Sequence, residues 1–143
     1  ENPGKIEAPL LHPIERKAAR QRDFLNPQPE EPLQQVWVRA LGNLGDDLCR
    51  HQTVLAFMSD FALLGTALMP HPYTGMSEDL QSASLDHALW FHRPFKADEY
   101  LLYCMDSPIA FGGRGFSRGA FYTRDGVLVA STAQESLLRP IKN

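Results

Sequence analysis

The sequence is short of cysteine, of excess charge and of long hydrophobic runs, and each shortage excludes a class of protein. Its 143 residues include only Cys49 and Cys104, in unrelated contexts, so neither a disulfide framework nor a CxxC metal site is expected. A formal net charge of −3 gives no attraction to nucleic acid or to an anionic membrane, so neither is expected as a partner. The longest apolar run, residues 54–69, is too short for a membrane span and contains Ser59 and Asp60. The first residues lack the apolar core of a signal peptide, and the composition is that of a soluble globular domain.

The chain divides into two regions of different composition. Residues 1–32 carry prolines at positions 3, 9, 13, 27, 29 and 32, which predicts a linker or surface arm, with a short basic helix over residues 15–23. Residues 33–143 have the composition of one folded domain.

The first part of this domain predicts a strand and then one long helix. Residues 33–40 (LQQVWVRA) are β-branched, aromatic and partly alternating, as in a strand. Asp46 or Asp47 can cap a helix that runs from Leu48 to about Leu68 and ends before Pro70. Its second half is apolar on nearly every side, so we expect protein to surround it.

The second part predicts four consecutive strands, over residues 81–92, 99–107, 114–123 and 127–138. Short connections join them, and the Asp125-Gly126 pair suits a primed hairpin turn. One strand, one apolar helix and then a series of hairpins predict an α+β fold, in which a curved antiparallel sheet wraps around the helix.

Two patterns resemble catalytic or metal motifs without their context. Gly115-Phe-Ser-Arg-Gly119 matches GxSxG, but a strand follows it and no histidine lies beyond His92, so we interpret the match as accidental. Cys104 lies within a predicted strand and is expected to be a small core residue rather than a nucleophile. None of the five histidines has metal-ligand spacing, and parity places two of them on opposite faces of a strand, so we expect structural or surface roles for His12, His51, His71, His87 and His92.

Asp60 is the residue that the apolar pattern does not explain. Its neighbours at helical spacing are apolar, and burying an unpaired carboxylate costs several kcal/mol. One interpretation puts Asp60 on an exposed stripe with Ser59. The other puts it in a cleft with polar partners, for which two candidates stand out: Ser84 lies in the polar-rich segment SASLDH, and Gln134 interrupts an otherwise apolar strand face.

Several segments closely resemble the acyl-CoA thioesterase II family. They are SLDHALWFHRPF (residues 84–95), RGFSRGAFYTRDGVLVASTAQESLLRP (residues 114–140), VWVRA, DDL-x-x-H, the Ser-Asp pair at 59 and 60, and LMPH. The resemblance is to the carboxy-terminal half of that family, whose members carry two hotdog domains in tandem. It implies that residues 33–143 form one hotdog domain, with residues 1–32 as the linker between two such units.

The resemblance also implies a site and a reaction. The family's catalytic aspartate, threonine or serine, and glutamine fall on Asp60, Ser84 and Gln134. Ser84 stands where threonine is commoner, and its freer rotamer is expected to lower activity. The implied reaction is hydrolysis of a fatty acyl-CoA to free fatty acid and CoA by one water, with Asp60 as general base. No metal or bound cofactor is implied, because CoA enters as part of the substrate.

The chain's length leaves the assembly open. One hotdog unit is expected to expose an apolar edge and to pair with an amino-terminal half or with a second copy of itself. A non-catalytic hotdog that binds acyl groups or completes an assembly is the alternative. The last residues, Pro-Ile-Lys-Asn, are not a peroxisomal SKL address, so we expect a cytoplasmic protein, with the peroxisomal matrix as the alternative in a eukaryote.

Overall fold

The computed structural model describes residues 13–141 and folds them into seven strands and two helices. The strands are β1 (Ile14–Ala18), β2 (Leu33–Ala40), β3 (Leu80–Ser84), β4 (Ala88–Phe91), β5 (Leu101–Phe111), β6 (Arg114–Tyr122) and β7 (Leu128–Pro140). The helices are α1 (Leu48–Ser59) and α2 (Leu63–Leu68). Within residues 13–141, each helix is too short or too polar to cross a membrane.

All strands belong to one curled antiparallel sheet with the order β1-β2-β5-β6-β7-β3, and β4 pairs with β7 beside β3. Along β7 the inward residues are buried and alternate with half-exposed outward ones, the period expected when one face covers a core. The core includes the stacked rings of Tyr103 and Phe121, whose centroids lie 3.8 Å apart. The predicted α+β class and antiparallel sheet are confirmed.

The GxSxG segment lies inside β6 and serves packing. Ser117 is buried and its hydroxyl donates a hydrogen bond to the carbonyl oxygen of Leu63, 2.8 Å away in α2. A nucleophile elbow needs an exposed serine on a sharp strand-to-helix turn. The interpretation of this match as accidental is therefore confirmed.

Two glycines of the same segment allow the close approach of neighbouring side chains. A Cβ at Gly115 would lie 2.7 Å from the Cβ of Ala67 in α2. A Cβ at Gly119 would lie 2.3 Å from the ring of Tyr103 and 2.6 Å from the hydroxyl of Thr132. All three distances are shorter than van der Waals contact, so only glycine fits at either position without a shift of the core.

The prediction of one continuous helix is wrong, because the backbone breaks after Ser59. Asp60 is the C-cap of α1, Ala62 adopts a left-handed conformation with φ 74°, and α2 begins at Leu63. A left-handed alanine costs about 1–2 kcal/mol, so the surrounding contacts must hold it there. The amino end of α1 is capped as predicted: the Asp47 side chain accepts a hydrogen bond from the Cys49 amide.

The expected burial of the helix on every side is also wrong. In α1, Ala56 and Phe57 are exposed, and the Phe57 side chain keeps 57% of its surface in solvent. Leu55 and Met58 of α1 are nevertheless completely buried in the core, and α2 packs against β5, β6 and β7. Each helix therefore lies with one side against the sheet and is not surrounded on every side.

The predicted helix over residues 15–23 is wrong as well. Ile14–Ala18 forms β1, which pairs with β2, and Ile14 is buried in the core. A helix of nine residues is marginal without tertiary support, whereas the open edge of β2 offers the backbone a complete set of partners. After β1, the Arg22 side chain connects this segment to the rest of the domain by donating a hydrogen bond to the carbonyl oxygen of His71 at 2.8 Å. The linker role of residues 1–32 stays a prediction.

The β6–β7 turn lies where the sequence predicts it, but its type differs. Gly126 has a positive φ of 87°, whereas Asp125 does not, so the pair does not form a primed turn. The Gly126 amide donates to the Thr123 carbonyl at 3.0 Å, as in a type I turn followed by a left-handed glycine.

The close packing at Gly119 generates a prediction about stability. Gly119→Ala is expected to lower the free energy of unfolding by about 1–3 kcal/mol, because the added methyl overlaps Tyr103 and Thr132. Gly65→Ala is the matched control: its new Cβ meets no atom closer than 3.7 Å, and alanine in a helix should raise stability by about 0.5–1 kcal/mol. Urea denaturation of both variants measures the difference, and equal stabilities would contradict the packing argument.

Candidate active site

The three residues predicted for the site lie in one hydrogen-bonded chain, although they come from three separate elements. Asp60 ends α1, Ser84 ends β3, and Gln134 lies in the middle of β7. The Gln134 Nε2 donates to Ser84 Oγ at 2.9 Å, and Ser84 Oγ donates to Asp60 Oδ1 at 3.2 Å. The structure thus brings all three side chains together.

Gln134 is the buried member of this chain, with 1% of its surface exposed. An unsatisfied buried amide costs about 1–3 kcal/mol, so each end of this side chain requires a partner. Besides Ser84, its Nε2 contacts Ser136 Oγ at 3.3 Å, and its Oε1 lies 2.7 Å from Nδ1 of His87. Every polar atom of the amide is therefore occupied.

A β-bulge directs two of these partners toward Gln134. Ser84 pairs with Ser136 of β7, whereas Ala88 pairs with Ala133, so residues 85–87 lie opposite only residues 134–135. The Leu85 amide donates to the Glu135 carbonyl at 2.9 Å, which satisfies the backbone inside the bulge. Residues three apart face opposite sides of a regular strand, and the extra residue puts Ser84 and His87 on the same side. The predicted continuous strand over residues 81–92 is accordingly interrupted.

His87 is exposed, in line with the expected structural or surface role, but the sequence reasoning did not place it at the site. Its Nδ1 faces Gln134 and its Nε2 lies 2.7 Å from Ser59 Oγ. The available signal was its place three positions after Ser84, but strand alternation assigns that position to the other face. Only the bulge changes this.

The remaining histidines lie away from the site. His51 is buried, with Nε2 2.9 Å from the Gly45 carbonyl, which is the structural role expected. His92 contacts Ser131 on the outer face of β7, opposite to His87 as parity predicted. His71 is half-buried and His12 lies outside the described residues. Among residues 13–141, no group of three or more potential ligands is arranged to hold a metal ion.

The sequence predicts that Cys104 is a core residue, but its side chain is only half-buried. Burial raises the pKa of its thiol, and a hydrogen bond from Gln35 opposes this. A thiol kept protonated is a poor nucleophile, in agreement with the expectation that Cys104 is not catalytic.

A buried tyrosine fixes the backbone next to Asp60. The Tyr103 hydroxyl donates to the Ser59 carbonyl at 2.7 Å and lies 2.9 Å from Thr132 Oγ1. Burial raises the pKa of Tyr103 well above its ordinary value, against the smaller opposing effect of the Thr132 hydrogen bond. The phenol therefore stays protonated as a donor, and it holds the carboxyl end of α1 in place.

Asp60 is exposed in this chain, as the first interpretation expects, and it has the polar partner Ser84, as the second expects. Ser59 is completely buried, so the two residues do not form an exposed stripe. Ala56 and Phe57, four and three positions before Asp60, are exposed as well, so Asp60 follows the side of α1 that faces solvent. Ser84 hydrogen-bonds Oδ1, while Oδ2 accepts no hydrogen bond from residues 13–141.

A groove of about 1220 Å³ is lined in part by Phe61 and Ala62, the two residues that follow Asp60 in the chain. Asp60, Ser84 and Gln134 are not among its lining residues. Its charged walls are largely neutralised, because Arg20 pairs with Glu30 and Arg118 pairs with Asp106. Apolar side chains, including Val36, Val38, Met69 and Met105, and polar side chains such as Gln34 and Thr74 also line the groove.

Comparison with known proteins gives a consistent set of relatives. A sequence model of a family described as Acyl-CoA thioesterase matches residues 7–137. The chain is 45% identical over 128 residues to acyl-coenzyme A thioesterase 8 of Mus musculus, covering 89% of this chain and 39% of that protein. It is 36% identical over 145 residues to acyl-CoA thioesterase 2 of Haemophilus influenzae, covering 94% of this chain and 51% of that protein. The chain therefore spans about half the length, or less, of these curated relatives.

Solved structures agree with the fold. The crystal structure of acyl-CoA thioesterase II TesB2 from Mycobacterium marinum matches with a TM-score of 0.76 and 46% identity, over 90% of this chain and 49% of that chain. A protein from Alicyclobacillus acidocaldarius described as having a hot dog fold matches with a TM-score of 0.70 at 15% identity, over 95% of this chain and 50% of that chain. The predicted hotdog fold is confirmed.

Proposed function

The chain belongs to the acyl-CoA thioesterase family, and from this premise we propose that it hydrolyses fatty acyl-CoA to free fatty acid and CoA. The observation that carries the proposal is the hydrogen-bonded chain from Gln134 through Ser84 to Asp60. It joins a buried amide to an exposed carboxylate that has one oxygen open to a further partner. That partner is the attacking water.

In the proposed reaction, Asp60 acts as general base. A water held by the open oxygen of Asp60, with Ser84 and Gln134 fixing the carboxylate, attacks the thioester carbonyl and transfers a proton to Asp60. The carbon–sulfur bond then breaks, and the CoA thiolate takes that proton from Asp60 and leaves as the thiol. A positioned water and a nearby base lower the barrier by orientation and proton transfer, and no covalent intermediate is required.

The direction of the hydrogen bonds supports this role. Gln134 donates to Ser84, so the single proton of the Ser84 hydroxyl is available to Asp60. A carboxylate that accepts this bond on Oδ1 has a fixed plane, which aims its other oxygen. Orientation of this kind is what a general base contributes before the proton moves.

We further propose that a second hotdog unit covers this site. Asp60 and Ser84 are exposed, and the adjoining edge formed by β3 and β4 carries Leu85 and Trp90, each 52% exposed. Exposed sheet edges with apolar side chains favour pairing with another chain. The curated relatives are about twice as long as this chain, which matches a second unit of similar size. The covering unit is an amino-terminal half or a second copy.

The first prediction concerns turnover. Asp60→Asn is expected to lower kcat by about 100-fold or more, because the amide keeps the hydrogen bond from Ser84 but does not accept the proton of water. Ser84→Ala should lower kcat by about 10-fold, since Asp60 loses its fixed plane. Thiol release from a panel of acyl-CoAs measures both values, and thermal unfolding checks that the fold is intact.

Asp125→Asn is the matched control for the loss of one negative charge, because Asp125 lies in the β6–β7 turn. It should keep the wild-type kcat. Unchanged turnover in Asp60→Asn would show that Asp60 is not the base. Binding of acyl-CoA without any thiol release from the wild type would favour the non-catalytic acyl-binding alternative.

The second prediction concerns assembly. Leu85→Asp should weaken association at the β3–β4 edge, so the mass in solution and the rate of thiol release per chain should fall together. Leu25→Asp is the control, because Leu25 is 97% exposed in the arm, and it should change neither. Analytical ultracentrifugation, with and without an added amino-terminal unit, measures the mass. Full activity in a monomer of this chain would contradict the proposed second unit.

A further inference from the structure

We infer that His87 is a positioning residue of this site, which holds the Gln134 amide in the orientation that donates to Ser84. The inference rests on the proposed function for its kinetic consequences, but its structural content stands separately. His87 contacts two residues on different elements, Gln134 in β7 and Ser59 at the end of α1. It therefore bridges the strand that carries the amide to the helix that carries Asp60.

The amide of Gln134 has two ends of nearly equal size but opposite hydrogen-bonding character. In the structure, Oε1 lies 2.7 Å from His87 Nδ1, and Nε2 donates to Ser84. A rotation of the amide by half a turn would present the carbonyl oxygen to Ser84 instead. The Ser84 hydroxyl would then have two acceptors for one proton, Gln134 and Asp60, and its bond to Asp60 would weaken.

Protonation of Nδ1 of His87 removes this ambiguity. A ring N–H at this position requires an acceptor opposite, which selects the Gln134 orientation with Oε1 toward the ring. The hydrogen bonds then run in one direction, from His87 to Gln134, to Ser84 and to Asp60. The only side chain along this series that is fully buried is Gln134, where a wrong orientation would be most costly.

The other ring nitrogen is compatible with this arrangement. Ser59 Oγ lies 2.7 Å from His87 Nε2 and 2.8 Å from the Ala56 carbonyl. In a neutral ring with the proton on Nδ1, the Ser59 hydroxyl donates to Nε2. In a doubly protonated ring, Nε2 donates to Ser59, and the Ser59 hydroxyl donates to Ala56. Nδ1 keeps its proton in both cases, whereas a neutral ring protonated on Nε2 would set two acceptors, Nδ1 and Gln134 Oε1, 2.7 Å apart and would require the amide to turn.

The β-bulge is the backbone feature that makes this contact possible. Without the extra residue among residues 85–87, the His87 side chain would face the outer side of the sheet. The Glu135 amide donates to the Asp86 carboxylate at 2.7 Å, which stabilises the bulge through the residue next to His87. Ser84, Asp86 and His87 thus form one short segment that supplies partners to residues 134–135.

Two substitutions at His87 distinguish the contribution of Nδ1 from that of Nε2. In His87→Asn, the side-chain NH₂ occupies the position of Nδ1 and still donates to Gln134. In His87→Gln, the NH₂ reaches the position of Nε2, contacts Ser59 and leaves Gln134 Oε1 without its donor. His87→Ala removes both contacts. His92→Ala is the control, because His92 contacts Ser131 on the outer face of the same strand.

Steady-state hydrolysis of a medium-chain acyl-CoA is measured on the complete assembly. We expect His87→Ala and His87→Gln to lower kcat by about 10–100-fold with KM changed by less than about 3-fold, whereas His87→Asn stays within about 5-fold of wild type. His92→Ala should match wild type. Equal kcat for His87→Asn and His87→Gln would overturn the inference, because a merely structural histidine does not distinguish them.

A spectroscopic measurement tests the same inference without reference to activity. Long-range proton–nitrogen NMR spectra of the isotope-labelled protein should show a protonated Nδ1 on His87, and the side-chain amide resonances of Gln134 should shift in His87→Ala but not in His92→Ala. An unprotonated Nδ1 would overturn the inference even in an active enzyme. A protonated Nδ1 in a protein that releases no thiol would support the inference while the proposed reaction fails.

Discussion

The buried amide of Gln134 is the constraint on which the arrangement of this site depends. It lies on the inner face of β7, where the neighbouring inward positions form the core of the domain. A buried amide is stable only when each of its polar atoms has a partner, and here the partners are Ser84 at the end of β3, Ser136 in β7 and His87 before β4. The bulge after Ser84 puts His87 on the same side of the sheet as Ser84, so both side chains contact the amide.

The second constraint is the break between the two helices. Asp60 follows the exposed side of α1, the side of Ala56 and Phe57, so its carboxylate stays in contact with solvent. The left-handed conformation of Ala62 ends the helical geometry two residues after Asp60, and α2 begins at Leu63. Strained backbone of this kind persists where the surrounding packing holds it, and such positions often accompany functional sites. Here the Tyr103 hydroxyl provides part of that packing by holding the Ser59 carbonyl.

Asp60 and Ser84 are exposed in this chain, and a second unit of similar size could cover them. A general base in open solvent competes with bulk water for orientation, so a covering surface would contribute to catalysis as well as to stability. The relatives are about twice as long, and the open β3–β4 edge adjoins the two exposed side chains. One hotdog unit with its site at an open edge is therefore consistent with an enzyme completed by a second unit.

Much of this organisation could be predicted from the sequence, because the strands after residue 97 alternate regularly and end at glycine-containing turns. Gln134 and Asp60 could be identified because each is a polar residue in an otherwise apolar segment. The helix break was not predictable, since Ala62 carries no sequence signal for a left-handed conformation. The first strand was missed because pairing with β2 outweighs the local helical preference of a basic segment.

His87 was missed for a different reason, which is that the argument from strand alternation assumes an unbroken register. A bulge shifts every later residue to the other face, and no residue type in the segment at 85–87 marks it. Ser84 and Gln134 were therefore candidates from the sequence and the resemblance, whereas His87 was identified only by its contacts in the structure.

The central claim is that water attacks the thioester directly, with Asp60 as the base. Hydrolysis in oxygen-18 water under single-turnover conditions, with the assembled enzyme in excess over acyl-CoA, tests this claim most directly. Direct attack predicts one oxygen-18 atom in the fatty acid released in the first turnover. An unlabelled fatty acid, with the label found on Asp60 instead, would show that the carboxylate attacks as a nucleophile and would contradict the account.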